Sequence, residues 1–505
     1  METYGDLIAT DDVLRFVNAA ITSTGQREFR TEAHEQRLSL DFLHAYMLGN
    51  YRDLYAAVLA LEINDHNAVL IIRHLLQSAA EATPEQRRTE GRLIARRLAA
   101  LPPQRAYGLF RALRRAKVNN RRTRALVRDW LAARPDLALD AVKYRAGLKC
   151  ALRHARLSPA GIGAGRPLGD ELGDFLFAWR ERPHYATPLL ETWRRAHYEQ
   201  SALYELPYTV AEGFAARKEI PRAAFLERIA PRMTRLETLR LQESARGHGA
   251  EAVRADAARL ARMPLTRLAS YVLSLPGEER TARRAELTQI LRSAADRVAG
   301  AERGRWGTVA AVLDDSFSAA GSGHKPRRPL AVALACHHLL ASLATSYTPL
   351  WTSGRTDALL ARPYGPTPLG TRILDALETA PARLVIVSDG WDNAPPGLAS
   401  EVLRVWRTRL DPARATRVVH LNPVYDADDF DVRRLAPTVP TAGIRDAEDL
   451  PALVELAQFA EGGSGLAELR AHLHTRAARL LGEGQPPTEG RMLMEGRMLL
   501  EGERT

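Results

Sequence analysis

Cysteine is nearly absent: Cys150 and Cys336 are the only two in 505 residues. They lie far apart and belong to no C-x-x-C pair. That excludes a disulfide scaffold and a thiolate-ligated zinc, and makes a reducing cytoplasm the expected compartment. No run of 18 apolar residues occurs, so no membrane span is expected. The opening residues, Met1-Glu2-Thr3-Tyr4-Gly5-Asp6, are acidic and lead into no apolar stretch, so no secretory signal is expected. Gly 34 and Pro 29 follow no period, which excludes collagen-like and low-complexity chains. The catalytic spacings H-E-x-x-H and G-x-S-x-G are missing. Gly321-Ser322-Gly323-His324-Lys325 resembles a fragment of a phosphate loop, but its spacing is wrong and Pro326 stands where a hydroxyl should.

What is there is globular: 46% hydrophobic and 26% charged residues, long enough for two to four domains. Lysine is scarce, with five residues (Lys117, Lys143, Lys149, Lys218, Lys325) among 71 basic side chains. The charge is lopsided. Residues 1–300 hold 48 basic and 35 acidic side chains, whereas 301–505 hold 23 and 25. Residues 101–150 alone carry 13 basic against 3 acidic. An asymmetry of this kind points to a polyanion-binding part joined to a neutral one.

The first 300 residues carry apolar positions three and four apart, as in Leu54, Val58, Leu61 and Val69, Ile72, Leu75, Leu76. Pro102-Pro103, Arg134-Pro135, Ser158-Pro159 and Ile220-Pro221 break them into an all-α array with no clean repeat period. Gly161–Gly165 reads as a flexible loop. The texture changes near Gly304. Strand-like runs at 308–313, 346–352, 383–387 and 417–421 alternate with helical ones at 330–344, 370–379, 399–409 and 450–459, which predicts a doubly wound parallel sheet. The expected layout is therefore multidomain: helices over 1–300, an α/β domain over 303–480, and a tail over 481–505. The tail repeats a hexad, Glu489-Gly490-Arg491-Met492-Leu493-Met494 followed by Glu495–Leu500.

In an open α/β sheet, functional loops gather at the carboxyl ends of the strands. Asp314-x-Ser316-x-Ser318 follows the first strand directly. Thr367 lies in the loop before the 370–379 helix, and Asp389-Gly390 follows the most apolar strand. Hydroxyl and carboxylate oxygens suit a hard divalent cation, Mg²⁺ first, with Mn²⁺ or Ca²⁺ as alternatives. The acidic run Asp426, Asp428, Asp429, Asp431 reads as a solvated loop, and His337-His338 as packing.

In this order, Asp314, Ser316, Ser318, Thr367 and Asp389 resemble the metal-ion-dependent adhesion site of von Willebrand factor A domains. The resemblance covers about 303–480. It implies that Ser316 and Ser318 bind the cation directly and Thr367 directly or through water. Asp314 and Asp389 bind it or hold its waters, and a partner protein supplies the sixth ligand as a carboxylate. Pro366 departs from the family, which usually has glycine there. In the helical half, Trp130-Leu131, the segment Asp136–Arg145 and the basic segment from Leu152 to Pro159 resemble the TROVE module of the Ro autoantigen family. That family joins a ring of HEAT-like helical repeats to a C-terminal von Willebrand A domain. His154 stands a few places earlier than the family pattern. The resemblance implies binding of small non-coding or misfolded RNA, without catalysis. The expected RNA contacts are Arg111, Arg114, Arg115, Lys117, Arg121, Arg122, Arg124, Arg128, Lys143 and Arg145 for phosphates, with Tyr144 and His154 stacking on bases. The alternative is a protein-interaction adaptor in which the α/β domain recruits an ATPase or other partner and the helices are scaffold.

Overall fold

The computed structural model describes residues 4–162, 167–234, 237–238, 260, 262–461 and 465–483. The loop expected at Gly161–Gly165 and the hexad tail lie largely or wholly outside them. The chain is a helical region followed by an α/β region.

Helices of the first region start where their sequences cap them. Asn64 accepts from the Asn67 amide and opens Asp65–Gln77; Asn120 and Asp136 do the same for Arg121–Ala132 and Leu137–Lys143. Thr83 and Gln86 form a reciprocal capping box at Pro84–Ala100, whose first residue is proline. Helices Pro103–Arg115 and Arg145–Ala155 approach closely at Gly147, where a Cβ would come within 2.7 Å of Tyr107 Cβ.

A buried polar chain runs through this region. Arg73 donates to His74 Nε2 (3.1 Å), so the His74 proton sits on Nδ1 and goes to Tyr55 Oη (2.9 Å). Tyr55 donates to His44 Nδ1 (2.7 Å), and His44 Nε2 donates to Asn67 Oδ1 (3.1 Å). Asn67 Nδ2 then donates to the carbonyls of Ala20, in the last turn of helix Tyr4–Thr22, and Ser23, just past its end. From His74 to Asn67 each donor meets an acceptor, and both imidazoles are neutral. Burial holds His44 down at about 3 and His74 at about 4.

The second region is a five-stranded parallel sheet in the order β2-β1-β3-β4-β7, with β1 (Thr308–Leu313), β2 (Ser346–Trp351), β3 (Arg383–Val387), β4 (Arg417–Asn422) and β7 (Thr441–Gly443). A small ribbon of β5 (Tyr425–Asp426) and β6 (Asp431–Val432) sits apart. Strand residues alternate between two cores, as a pleat requires. Ala310, Val312, Leu384, Ile386 and Val418 face helices Leu369–Glu378 and Leu398–Val405. Val309, Ala311, Leu313, Val385, Val387 and Leu421 face the other side, where helices Arg328–Leu343 and Leu450–Ala457 lie.

That second core is shared with the helical region. Helix Arg328–Leu343 is buried almost all round, because helices Leu265–Ser274 and Arg284–Ala299 pack on its outer side. Helix Tyr4–Thr22 covers β7. Asn18, 3% exposed, donates to Asp431 (2.8 Å) and accepts from the Gly443 amide (2.8 Å). A Cβ on Gly443 would stand 2.9 Å from Thr22, so only glycine lets this helix lie on the strand. Helix Leu466–Leu481 folds back onto Arg52–Ala57 and Pro84–Ala100 of the first region. The two sequence textures thus meet in one hydrophobic core. The expected helix 399–409 keeps α geometry only to Val405; a π turn over Trp406–Leu410 completes it.

Candidate functional site

The register of the sheet assembles the acidic site. Leu313 of β1 pairs with Val387 of β3, and the Asp314 amide donates to the Val387 carbonyl (3.0 Å). Asp314 therefore sits beside Ser388, with Asp389 one residue on. Ser388 Oγ donates to Asp314 Oδ2 (2.8 Å) and accepts from the Gly390 amide (3.2 Å). Gly390 has φ +80°, and a Cβ there would stand 2.9 Å from the Arg433 carbonyl; glycine is required on both counts.

After Asp314 the chain turns back on itself. The Ser316 amide donates to Asp314 Oδ1 (2.9 Å), and the Ser316 and Ser318 hydroxyls stand 3.2 Å apart. Ser318 stands close enough to Asp389 to pull its pKa down, while the Trp391 amide donates to Asp389 Oδ1 (3.1 Å). The third loop is laced to the first by the Tyr364 amide to the Asp315 carbonyl (2.9 Å) and the Phe317 amide to the Gly365 carbonyl (3.0 Å). Thr367 is locked by Asn393, whose side chain accepts from its amide (2.7 Å) and whose amide donates to its carbonyl (3.3 Å). All five residues singled out from the sequence are buried. Asp314, Ser316 and Ser318 are linked directly, Asp389 lies close enough for its charge to act on Asp314, and Thr367 is held through its loop.

Two carboxylates buried together resist ionisation. Burial raises Asp314, and the Asp389 charge raises it further; bonds from Ser316 and Ser388 offset part of this. Asp389 is raised mainly by burial, and Ser318, the Trp391 amide, Arg30 and Arg433 pull the other way. A divalent cation among these oxygens would remove the repulsion, and the donor set of two carboxylates and three hydroxyls fits a hard ion. Among the described residues, no group of three His, Cys, Asp or Glu converges in a way that could hold a metal. The fit therefore rests on the hydroxyls. Asp426 and Asp431 are spent otherwise: Asp426 accepts from the Asp428 amide (3.1 Å), and Asp431 from Asn18 and Arg434.

Three neighbours were not singled out from the sequence. Asp315 is wholly buried and takes Thr352 Oγ1 (2.9 Å), the Ser353 amide (2.9 Å) and Ser353 Oγ (2.7 Å), which ties β1 to the end of β2. The doubled Asp314-Asp315 at a strand end was its only signal. Ser388 bridges the two acidic loops. His420 donates from Nε2 to the Ser388 carbonyl (3.1 Å); burial holds it neutral, at about 4. It braces the backbone and does not face the carboxylates.

The basic face divides into two classes. Arg111, Arg114, Arg115, Lys117, Arg121 and Arg128 are exposed, and Arg124 and Lys143 are half-buried. Arg128 pairs with Asp129 (2.8 Å). The remaining expected contacts are structural. Arg122 reaches the buried Glu90 (3.4 Å), which Arg52 also holds (2.7 Å). Arg145 donates to the carbonyls of Phe175 (2.8 Å) and Leu176 (2.9 Å) and lies over the Phe175 and Trp193 rings. Tyr144 packs against Tyr107, with ring centroids 5.6 Å apart. His154, expected to stack on a base, is 4% exposed and held below its usual range by burial, so it packs instead. An aromatic that the sequence reading passed over does stand in the open: Phe177 is 43% exposed, with Lys149 (5.3 Å) and Arg153 (5.0 Å) over its ring.

A scan against protein-family models returns no match for this chain, and a search of curated proteins returns none either. No helix among the described residues is long and apolar enough to cross a membrane.

Proposed function

We propose that this chain is a non-catalytic, divalent-metal-dependent interaction protein. Its α/β region resembles a von Willebrand A domain and captures a carboxylate of a partner protein through a cation held by Asp314, Ser316, Ser318, Thr367 and Asp389. The observation that carries the reading is the cluster at the ends of β1 and β3: two buried carboxylates, with paired hydroxyls 3.2 Å apart, and no side-chain cation hydrogen-bonded to either carboxylate among the described residues. The bound ion would neutralise the pair and act as a Lewis acid for an incoming carboxylate. The chain's own part is to orient the oxygens: Ser388 fixes Asp314, the Trp391 amide fixes Asp389, and Asn393 fixes the Thr367 loop. Among the described residues no histidine hydrogen-bonds to the cluster's carboxylates to serve as general base, which favours adhesion over hydrolysis.

The test is thermal. Mg²⁺ alone should raise the melting temperature of the parent by mass action, and Asp389→Ala should lose that response. Identical responses from the two proteins would remove the site. Metal-dependent turnover of a phosphoester, lost in Asp314→Ala, would replace adhesion with catalysis.

A second reading has its own support. The exposed Arg111, Arg114, Arg115, Lys117 and Arg121 offer phosphate forks, and Phe177, with Lys149 and Arg153 over its ring, offers a stacking face; those two cations lie on helix Arg145–Ala155, which packs on Pro103–Arg115. This favours RNA binding by a TROVE-like, HEAT-like array, so that the protein would bring an RNA to the partner of the metal site. Nucleic acid copurifying with the full chain, and released by RNase, tests it. Protein free of nucleic acid, with no affinity for single-stranded RNA at low salt, would leave the helices as scaffold.

A further inference from the structure

The rim of the acidic site is built by both regions of the molecule. The turn Glu28–Thr31, between the first two helices, is anchored on the α/β region. Glu28 is buried and pairs with Lys325; the Glu28 amide donates to the Thr31 carbonyl (3.0 Å). Gln36 donates both to Thr31 Oγ1 (2.6 Å) and to the Tyr425 carbonyl (3.1 Å). The turn so fixed presents Phe29 edge-on to the exposed Phe317 (5.9 Å), next to Ser316 and Ser318. It also lays Arg30 over the indole of Trp391 at 4.0 Å. Arg433 lies on the same indole at 3.8 Å. Trp391 is two residues from Asp389, and a small cavity lined by Phe29, Arg30, Asp389, Trp391, Asp426 and Arg433 opens between them.

Stacking uses the faces of the two guanidiniums and leaves their N–H edges for acceptors. Neither has a carboxylate within ion-pair distance among the described residues; Asp389 and Asp426 lie near enough only to feel their charge. Two like charges held on one ring, Arg30 on the braced turn and Arg433 just after β6, form a preorganised site for an acceptor.

We propose that Arg30 and Arg433 form a guanidinium clamp for a second carboxylate, so that the partner is an acidic peptide segment. One of its carboxylates goes to the cation and a neighbouring one to the clamp. The helical region is then part of the recognition surface through Arg30. An extended peptide sends alternate side chains to opposite faces, so acidic residues two apart reach two sites on the same side. RNA fits this rim less well. Asp389 and Asp426 at the clamp and the acidic loop behind it repel a dense phosphate backbone, whereas a peptide brings few charges at chosen points. The proposal rests on the metal-adhesion reading for the place of the first carboxylate only.

The probe is a fluorescent octapeptide with a central Asp-Glu-Asp, compared with the same peptide carrying a single Asp, on the full chain, by anisotropy with Mg²⁺ and with EDTA. The parent should prefer the triacidic peptide by about tenfold, as expected for one charge-assisted hydrogen-bonded contact. Arg30→Ala and Arg433→Ala should each lose most of that preference, and Arg30→Lys should recover part of it. Arg30 is exposed, so its variant should melt where the parent does. Preference that survives in EDTA, in a parent whose melting ignores Mg²⁺, supports the clamp while removing the metal reading. Equal affinity of the parent for both peptides, or an unchanged preference in Arg30→Ala, overturns the clamp. So does a uridine oligonucleotide that displaces the peptide from the parent but not from Arg30→Ala, because it assigns the clamp to phosphate.

Discussion

The two regions bury ionisable groups of opposite kind and treat them differently. In the helical region, His44 and His74 are neutral links whose ring nitrogens all have partners. In the α/β region, Asp314 and Asp389 are pressed together with their pKa values raised. The two imidazoles are satisfied by protein partners alone; on the proposed reading, the carboxylate pair would gain from a cation. A polar network that is fully satisfied stabilises a fold, whereas one left short of a counter-charge marks a place for something else.

The largest expected effect separates the two by pH. His44 has a folded pKa near 3, below the ordinary 6.5. The unfolded state therefore binds more protons between those values. Its contribution to stability is complete above pH 6.5 and lost as pH falls toward 3. The full loss is up to about 5 kcal/mol from this one group, at about 1.4 kcal/mol per pKa unit. Urea unfolding at pH 7.5 and 5.5 should show part of it as a positive slope with pH. His44→Leu should be less stable at neutral pH but have a shallower slope. An unchanged slope would mean that His44 is not held neutral.

Next comes the seam between the regions. Asn18→Ala removes two buried hydrogen bonds and strands the Gly443 amide, at a cost of about 3 kcal/mol. Because the core is shared, a near-ultraviolet signal and a helix signal should fall together at the lower midpoint. Two separated transitions would show that the regions fold as independent units.

A smaller effect tests the carboxylates directly. Asp314→Asn removes one charge of the buried pair while keeping an acceptor for the Ser316 amide. In EDTA it should melt at or above the parent, with a gain of about 1 kcal/mol. With Mg²⁺ the order should reverse, as the parent gains and the variant does not. A variant less stable than the parent in EDTA would mean that Asp314 is paid for by its hydrogen bonds alone and needs no cation.

Much of the α/β region was legible because its signals are local. Apolar runs mark 308–313, between Gly307 and Asp314, 383–387, which leads into Ser388-Asp389-Gly390, and 417–421, and the expected 346–352 run differs from β2 by one residue. A parallel sheet then makes Asp314 and Asp389 neighbours by register. What was not legible depends on contacts distant in sequence. The three-residue β7 is too short to carry a pattern; it pairs with β4, and Asn18 and Gly443 seat helix Tyr4–Thr22 on it. Arg30 and Trp391 are 361 positions apart, and nothing in either segment announces the other. Composition also counts charges without seeing partners. The run 111–128 looks uniform, yet Arg122 is bonded inward and Arg121 is not. His154 has the chemistry of a stacking residue, but its ring is buried.

That last contrast yields the smallest and sharpest test. Arg121 and Arg122 are adjacent, carry the same charge and open the same helix. If net charge alone governs RNA affinity, Arg121→Ala and Arg122→Ala should weaken binding equally and lower its salt dependence equally. The side chains differ, however. Arg121 is exposed, whereas Arg122 shares Glu90 with Arg52, and burial lowers its pKa against the pull of that carboxylate. A phosphate reaching Arg122 would have to compete with Glu90, so Arg121 is the one free to release a counterion. Arg121→Ala should weaken single-stranded RNA binding about threefold and reduce the log–log salt slope by about 0.7, with an unchanged melting temperature. Arg122→Ala should leave RNA affinity nearly intact and cost about 1 kcal/mol of stability, since Glu90 keeps Arg52 but loses its second partner. Filter binding over a salt series, paired with thermal melts, reads both quantities. Equal losses of affinity would return the basic run to a matter of bulk charge, and no loss in Arg121→Ala would remove this helix from the RNA surface.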